Sequence, residues 1–160
     1  MSRFEKFLSI YQILGGVGGL IIGLVWLRAN PDYTALISVF LLMSVASCIA
    51  GVLVWLKRRA AFPFSLAVQA VQVPAFAVAS IAYTLGLGLV FVLGPEFGLS
   101  SDGTISFGFP LDFQVGGVFA LSFGDQFAST LLRVNVVPLV LVAAVVRHYK
   151  RQVPVAAYAT

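Results

Sequence analysis

Few side chains in this sequence are of a type and spacing that could perform chemistry. The single histidine, His148, lies in a basic tail with no neighbouring carboxylate to orient it, and the single cysteine, Cys48, lies inside an apolar run. One cysteine excludes an intrachain disulfide and every cysteine-based metal motif. Serines are frequent, but no histidine or embedded lysine is placed to activate one as a nucleophile. We therefore expect neither an enzyme nor a metal or other cofactor site.

Neutral polar residues inside the apolar segments are the next candidates, because unpaired polar groups are costly in hydrocarbon. This intramembrane polar set comprises Gln12, Gln69, Gln72, Tyr83 and Asn135. On a helix, Gln69 and Gln72 would share a face one turn before Pro74. The set predicts either hydrogen bonds between helices or the polar lining of a path for water or substrate. Arg133 is expected to anchor an outer loop by pairing with Asp112 or Asp125.

The composition identifies the class of protein. Of the 160 residues, 60% are hydrophobic and 10% are charged, whereas a soluble domain has roughly 45–50% apolar and about 25% charged residues. The mean hydropathy is +1.01. These values exclude a soluble globular domain, a disordered chain and a nucleic-acid-binding domain. They predict an integral membrane protein.

Four apolar stretches predict four membrane-spanning helices within a single domain that covers residues 1–160. The spans run over about residues 7–27, 35–56, 64–94 and 128–146, near or above the roughly 18 residues that a span requires. The third stretch is too long for one straight helix and contains Pro74, so we expect a kink there. The predicted fold is an all-α four-helix membrane bundle with a short β-hairpin-like outer loop over residues 95–127.

The charged residues predict the orientation of these spans. Basic residues precede the first span, separate the second from the third and follow the fourth, whereas four of the six acidic residues lie in residues 95–127. The positive-inside rule then places both termini in the cytoplasm and residues 95–127 outside, as in a bacterial inner membrane. Lipid headgroups are the expected contacts of six basic residues, namely Lys57, Arg58, Arg59, Arg147, Lys150 and Arg151.

Small residues on the first two predicted helices indicate a helix-packing interface. This interface comprises Gly15, Gly19, Gly23, Ser44, Ser47 and Gly51. The first three glycines recur every four residues and therefore share one helix face, where a second helix can approach closely. The small residues of the second span form a similar face, and we expect the two faces to meet. The pattern leaves open whether the contact forms within one chain or between copies.

The predicted outer loop alternates polar and apolar residues over 104–109 and 113–123. This alternation predicts two or three short strands, with a hairpin turn or bulge at Gly116–Gly117. The aromatic residues of the loop are Phe107, Phe109, Phe113, Phe119 and Phe123. Because an isolated hairpin is marginally stable, this Phe-rich face must cover the helix ends, lie on the lipid surface, contact another subunit or partner, or line a pore as a re-entrant segment.

Abundant packing features without catalytic groups favour a non-catalytic membrane subunit. Such a subunit would assemble with itself or with a larger membrane complex through helix packing and the Phe-rich loop. The alternative is a small homo-oligomeric pore or membrane-perturbing effector, which the glycine spacing and the neutral polar residues suggest. The expected partners are the lipid bilayer and further membrane-protein subunits, and no nucleic acid is expected.

Overall fold

The computed structural model describes residues 1–78, 81–99, 104–123 and 129–152. Within these ranges, the side chains of residues 99, 120–123, 129, 151 and 152 are outside the description. The helices are α1 (Arg3–Ala29), α2 (Thr34–Trp55), α3 (Ala61–Val71) and α4 (Val136–Gln152), and a 3-10 turn covers Pro31–Tyr33. The strands are β1 (Pro74–Val78), β2 (Ile81–Leu93), β3 (Glu96–Leu99), β4 (Ile105–Gly108), β5 (Leu111–Phe123) and β6 (Ser129–Asn135).

The prediction of an all-α four-helix transmembrane bundle is wrong. Among the described residues, only α1 and α2 are long and apolar enough to cross a membrane. The third predicted span divides into the short helix α3 and the strands β1 and β2, and the fourth becomes β6 followed by α4. Pro74 does not kink a helix but begins β1. The cause of the error is that a run of apolar residues fits a buried strand as well as a helix.

The ends of the two long helices follow from local signals. α1 begins with a capping box, in which the Ser2 hydroxyl accepts the Glu5 N–H and the Glu5 carboxylate accepts the Ser2 N–H. It ends just before Pro31, which starts the 3-10 turn that leads into α2. Lys57 adopts a left-handed conformation (φ 50°) immediately after α2, a common way to end a helix. These signals produce a pair of adjacent helices.

The sheet has the strand order β4-β3-β6-β1-β2-β5, and its described pairings are antiparallel. β2 pairs with β1 over residues 81–84, and residues 92–93 at its other end pair with β6. β6 in turn pairs with β1. Three straight strands cannot all be antiparallel to one another, so β2 must change direction between residues 84 and 92. The sheet is therefore folded over on itself.

Glycines allow this change of direction. Gly88 has φ 90° and lies opposite Gly116 of β5, which has φ 122°. L-residues with side chains rarely adopt either conformation, so β2 and β5 bend together where only glycine fits readily. The hairpin turn or bulge predicted at Gly116–Gly117 is thus wrong: both residues lie inside β5, a strand of 13 residues, and each pairs with a single residue of β2. We call the segment around Gly88 and Gly116 the bend.

The bend packs against the helix pair and forms part of the core. Leu85 and Leu87 of β2 are buried against Phe40 of α2, which has no exposed surface. Full burial of one such side chain contributes about 1.5–3 kcal/mol. A second cluster joins the far ends of the helices through Leu8, Val54, Ala61, Leu141 and Val145. The sheet therefore lies beside the helices, and part of the predicted outer loop packs against them.

Candidate functional site

Most of the predicted helix-packing residues meet within the chain, but the closest contact involves Gly16, which the prediction did not include. A Cβ atom on Gly16 would lie 2.6 Å from the Ser44 carbonyl oxygen and 2.8 Å from the Cys48 nitrogen, so the backbones of α1 and α2 are in close contact there. On the facing helix, α2, a Cβ atom on Gly51 would lie 2.7 Å from the Ser9 carbonyl oxygen of α1. The hydroxyl of Ser9 donates to the Gly51 carbonyl at 2.7 Å. The small-residue faces of α1 and α2 therefore meet.

The same glycine face of α1 also contacts the sheet, which the sequence did not predict. A Cβ atom on Gly15 would lie 3.2 Å from backbone atoms of Leu87 and Gly88. Gly19 faces the side chains of both Ser44 and Leu87. The last member, Gly23, faces Leu41 and Phe40 of α2. The glycines thus allow α1 to fit between a helix and a bent strand.

Polar side chains join the helices to the sheet. Gln72, directly after α3, accepts the Leu87 N–H through Oε1 at 2.9 Å. Asn135, at the end of β6, accepts the Phe91 N–H at 3.1 Å. Tyr83 donates to the Val71 carbonyl at 2.7 Å. Tyr11, absent from the predicted set, donates from one hydroxyl toward the Leu87 and Leu89 carbonyls, each at 3.2 Å.

The other two predicted polar residues lie between the helices. Gln12 has no exposed surface, and its Oε1 accepts the Ser65 hydroxyl at 3.0 Å. The Ser47 hydroxyl donates to the Gln12 carbonyl at 3.0 Å. Gln69 is equally buried, and neither its amide nitrogen nor its amide oxygen has a hydrogen-bond partner among the described residues. In the described residues, the Gln12 amide thus makes one hydrogen bond through its oxygen while its nitrogen has no partner, and the Gln69 amide makes none.

Arg133 pairs with Asp112 as expected, but Asp112 lies in strand β5, so the pair joins strands of the sheet and does not anchor a loop. Its guanidinium contacts the Asp112 carboxylate at 2.5 Å and the Glu96 carboxylate at 3.1 Å, so three strands are joined by two ion pairs. The alternative partner, Asp125, lies outside the described residues. Arg133 and Asp112 also line a cavity of about 370 Å³ between the layers of the folded sheet.

The basic residues collect at the end of the helices opposite the 3-10 turn. Lys57, Arg58 and Arg59 line a groove of about 840 Å³ together with Met1 and Tyr149. A side-chain hydrogen bond with Lys57 and the repulsion by its positive charge lower the pKa of the Met1 amino group.

Helix α4 brings further basic residues to this end of the molecule. Arg147 and Lys150 lie in its last turns, and the side chain of Arg151 is outside the description. His148 lies 3.2 Å from the Glu5 carboxylate, so the expectation that no carboxylate orients it is wrong. No local sequence pattern could predict this pair, because its two members are 143 positions apart.

The predicted aromatic face divides into two parts. Phe119 packs on Phe40 of α2 with ring centroids 5.9 Å apart, and the side chain of Phe123 lies outside the described residues. In contrast, Phe107, Phe109 and Phe113 are 67%, 57% and 64% exposed. One part of the face therefore covers the helices, and the other part is open.

Strand β5 contributes an open edge next to these exposed rings. The strand order places β5 at one end of the sheet, where it is hydrogen-bonded to β2 in the described part of the chain. Every residue from 111 to 115 is exposed, including Leu111 at 63% and Val115 at 74%. As far as the described residues show, this segment thus presents both unpaired backbone groups and large apolar side chains.

No family model, curated protein or solved structure matches the chain. In the residues that the structure describes, no group of three or more histidine, cysteine, aspartate or glutamate side chains is placed to hold a metal ion. A functional interpretation must therefore rest on the geometry described above.

Proposed function

We propose that this chain is a non-catalytic membrane subunit that is inserted through α1 and α2 and joined to a second copy along β5. The observation that carries the proposal is the open edge of β5, with exposed side chains at residues 111–115. Natural proteins usually protect such an edge with lysine, proline or a covering element. The exposed apolar residues of this edge instead mark an interaction surface.

The position of the bend explains why an exposed β5 edge would need a partner in a membrane. The Gly15 position of α1 lies against Gly88, and Tyr11 bonds the carbonyl of Leu89. The bend is therefore level with the middle of α1, a 27-residue helix. If α1 crosses the bilayer, the neighbouring β5 edge lies at the depth of the hydrocarbon, where unpaired backbone groups cost several kcal/mol each. Pairing with another strand satisfies these groups.

A second copy fits this edge in one register. If two β5 strands pair antiparallel about Phe113, then Leu111 lies opposite Val115 of the second copy, and the two Phe113 rings face each other. Asp112 then lies opposite Gln114, whose amide can donate to the carboxylate. The register matches apolar with apolar residues and separates the two Asp112 charges. Such an isologous contact closes as a dimer.

The proposed orientation follows from the basic end of the helices. Lys57, Arg58 and Arg59 lie at that end with the last turns of α4, and basic residues favour the cytoplasmic side of a membrane. We place this end and both termini in the cytoplasm of a bacterial inner membrane, where lipid headgroups contact the basic side chains. The 3-10 turn at the other end then faces the extracytoplasmic side.

A disulfide cross-link tests the proposed assembly. In a Cys48→Ala background, Phe113→Cys places two thiols opposite each other across the dimer axis, where Cβ atoms are roughly 4.5–5.5 Å apart. Mild oxidation of membranes should convert most of the protein to a covalent dimer. Phe107→Cys is the matched control, because Phe107 is equally exposed but lies on β4, away from the axis.

Two results would contradict this assembly. If the Phe113→Cys protein stays monomeric under oxidation, the β5 strands of two copies do not meet at this position. If Phe107→Cys forms as much dimer, the cross-link arises from random collision. Native mass spectrometry of the wild-type protein in detergent should give a dimer or a multiple of it. A strictly monomeric protein without partners would also oppose the proposal.

A homo-oligomeric pore is the second candidate, and one observation favours it. The strand order leaves β4 at the opposite end of the sheet from β5, so β4 of one copy could pair with β5 of the next. A heterologous contact of this kind forms a ring when the rotation closes. Purified protein in liposomes should then release a small dye. Cross-linking between Phe107→Cys and Phe113→Cys copies without dye release would argue against a pore.

A further inference from the structure

The folded sheet forms a half-open cavity, and two of the residues at its rim, Asp112 and Gln114, also lie on the edge of the proposed dimer. Its volume of about 370 Å³ lies in the range of roughly 300–1,000 Å³ that is typical of small-molecule sites. One wall comes from β6, β1 and the first part of β2, and it is lined by Phe76 and by six further residues, Ala75, Ala77, Ala82, Thr84, Leu131 and Arg133. These six stand in two cross-strand rows of the register. The alanines leave space where larger side chains would fill the layer.

The second wall comes from β5 and the part of β2 beyond the bend. Val90 pairs with Gln114, and Val92 pairs with Asp112, and all four residues line the cavity with Val118. Val90 and Val92 are buried and Val118 is partly buried, whereas Asp112 and Gln114 are exposed at the rim. The cavity therefore has an apolar interior and a polar opening, the pattern that fixes the orientation of a small ligand.

The charges at the opening favour a positively charged group. Arg133 reaches from the first wall to Asp112 on the second, and it also contacts Glu96. Two carboxylates against one guanidinium leave a net charge of −1 at this point. A primary ammonium group has three donors, and both the Asp112 carboxylate and the neighbouring Gln114 amide can accept one.

We propose that this cavity binds a small molecule with an aliphatic body and one primary ammonium group. The alkyl body occupies the space between the alanine and valine side chains. The ammonium lies at the opening against Asp112 and Gln114. All lining residues come from one copy, so a monomer can bind the ligand, and in the proposed dimer the ammonium shares Asp112 with Gln114 of the second copy.

Isothermal titration of the purified protein in an uncharged detergent tests this site. The probes are hexylammonium, hexanol and hexanoate, which share one alkyl chain and differ in charge. We expect hexylammonium to bind about tenfold more tightly than hexanol, because hydrogen bonds to charged groups are the stronger ones, and we expect hexanoate to bind most weakly. Equal affinities for the three probes, or tightest binding of hexanoate, would overturn the proposal.

Two matched variants locate the binding. Asp112→Asn should remove the preference for hexylammonium, whereas Glu96→Gln should only reduce it, because Glu96 contributes to the net charge through Arg133 but does not line the cavity. Ala77→Leu should fill the cavity and abolish binding of hexylammonium and hexanol alike. Unchanged binding in a folded Ala77→Leu protein, or equal losses in Asp112→Asn and Glu96→Gln, would show that the probes bind elsewhere. If Ala77→Leu does not fold, the comparison of Asp112→Asn with Glu96→Gln still tests the proposal.

Discussion

Glycine has different roles in the helix pair α1–α2 and in the strand pair β2–β5, although both pairs are rich in apolar residues. In the helix pair, Gly16 and Gly51 lack side chains, so the backbones of two regular helices can touch. In the strand pair, Gly88 and Gly116 supply positive φ angles so that two strands can turn together. The first role depends on space and the second on conformation. A single methyl group should therefore have different effects in the two places.

The largest effect is expected in the helix pair. Gly16→Ala would place Cβ 2.5 Å from the Cys48 sulfur and 2.6 Å from the Ser44 carbonyl, so the helices must separate. Overpacking of this kind costs about 3 kcal/mol, and we expect a clear fall in the melting temperature of the detergent-solubilised protein. Gly18→Ala is the control, because nothing lies within 4 Å of its Cβ position. Equal losses in both variants would contradict the close helix contact.

A second comparison concerns the polar connection between the helices and the sheet. Gln72→Leu leaves the buried Leu87 N–H without its acceptor, and we expect a loss of about 2 kcal/mol. Gln69→Leu removes an equally buried amide whose two polar atoms have no partners in the described structure, so stability should stay the same or rise. Chemical denaturation of the two variants measures this difference. A larger loss for Gln69→Leu would show that the connection is assigned to the wrong glutamine.

The smallest effect concerns the contact between α1 and the bend. Tyr11→Phe removes the hydroxyl that bonds the Leu87 and Leu89 carbonyls, and it should cost about 1 kcal/mol. Tyr33→Phe serves as the control, because Tyr33 is 62% exposed. Hydrogen exchange should also become faster in β2 of the Tyr11→Phe protein. Unchanged stability and exchange would mean that α1 and the bend are not joined there.

The helices and their contacts were partly predictable from the sequence. Ser2 and Glu5 form a local capping box, and the small residues of α1 and α2 are spaced so that helix contact follows. The sheet was not predictable in the same way, because residues 81–93 form an apolar run without alternation. Such a run suits a strand buried on both faces as well as a helix.

Only part of the candidate site could be predicted from the sequence, for a related reason. Buried glutamines could be selected by type, and the ion pair of Arg133 with Asp112 could be expected from opposite charges near each other. The cavity and the open edge of β5 could not be predicted, because both depend on which strands pair. The contact between His148 and Glu5 joins distant parts of the chain, and no local pattern reports such a contact.

The most direct test of the central claim, that residues 81–93 form a bent strand and not a membrane helix, is the sign of one stability change. Gly88→Ala adds a Cβ that meets only ordinary contacts, 3.4 Å from the Tyr11 ring, so the variant reports on backbone conformation. At φ 90°, the substitution should lower the free energy of unfolding by about 1–3 kcal/mol. In a helix, the same change should raise it by about 1 kcal/mol, and an increase would contradict the folded sheet.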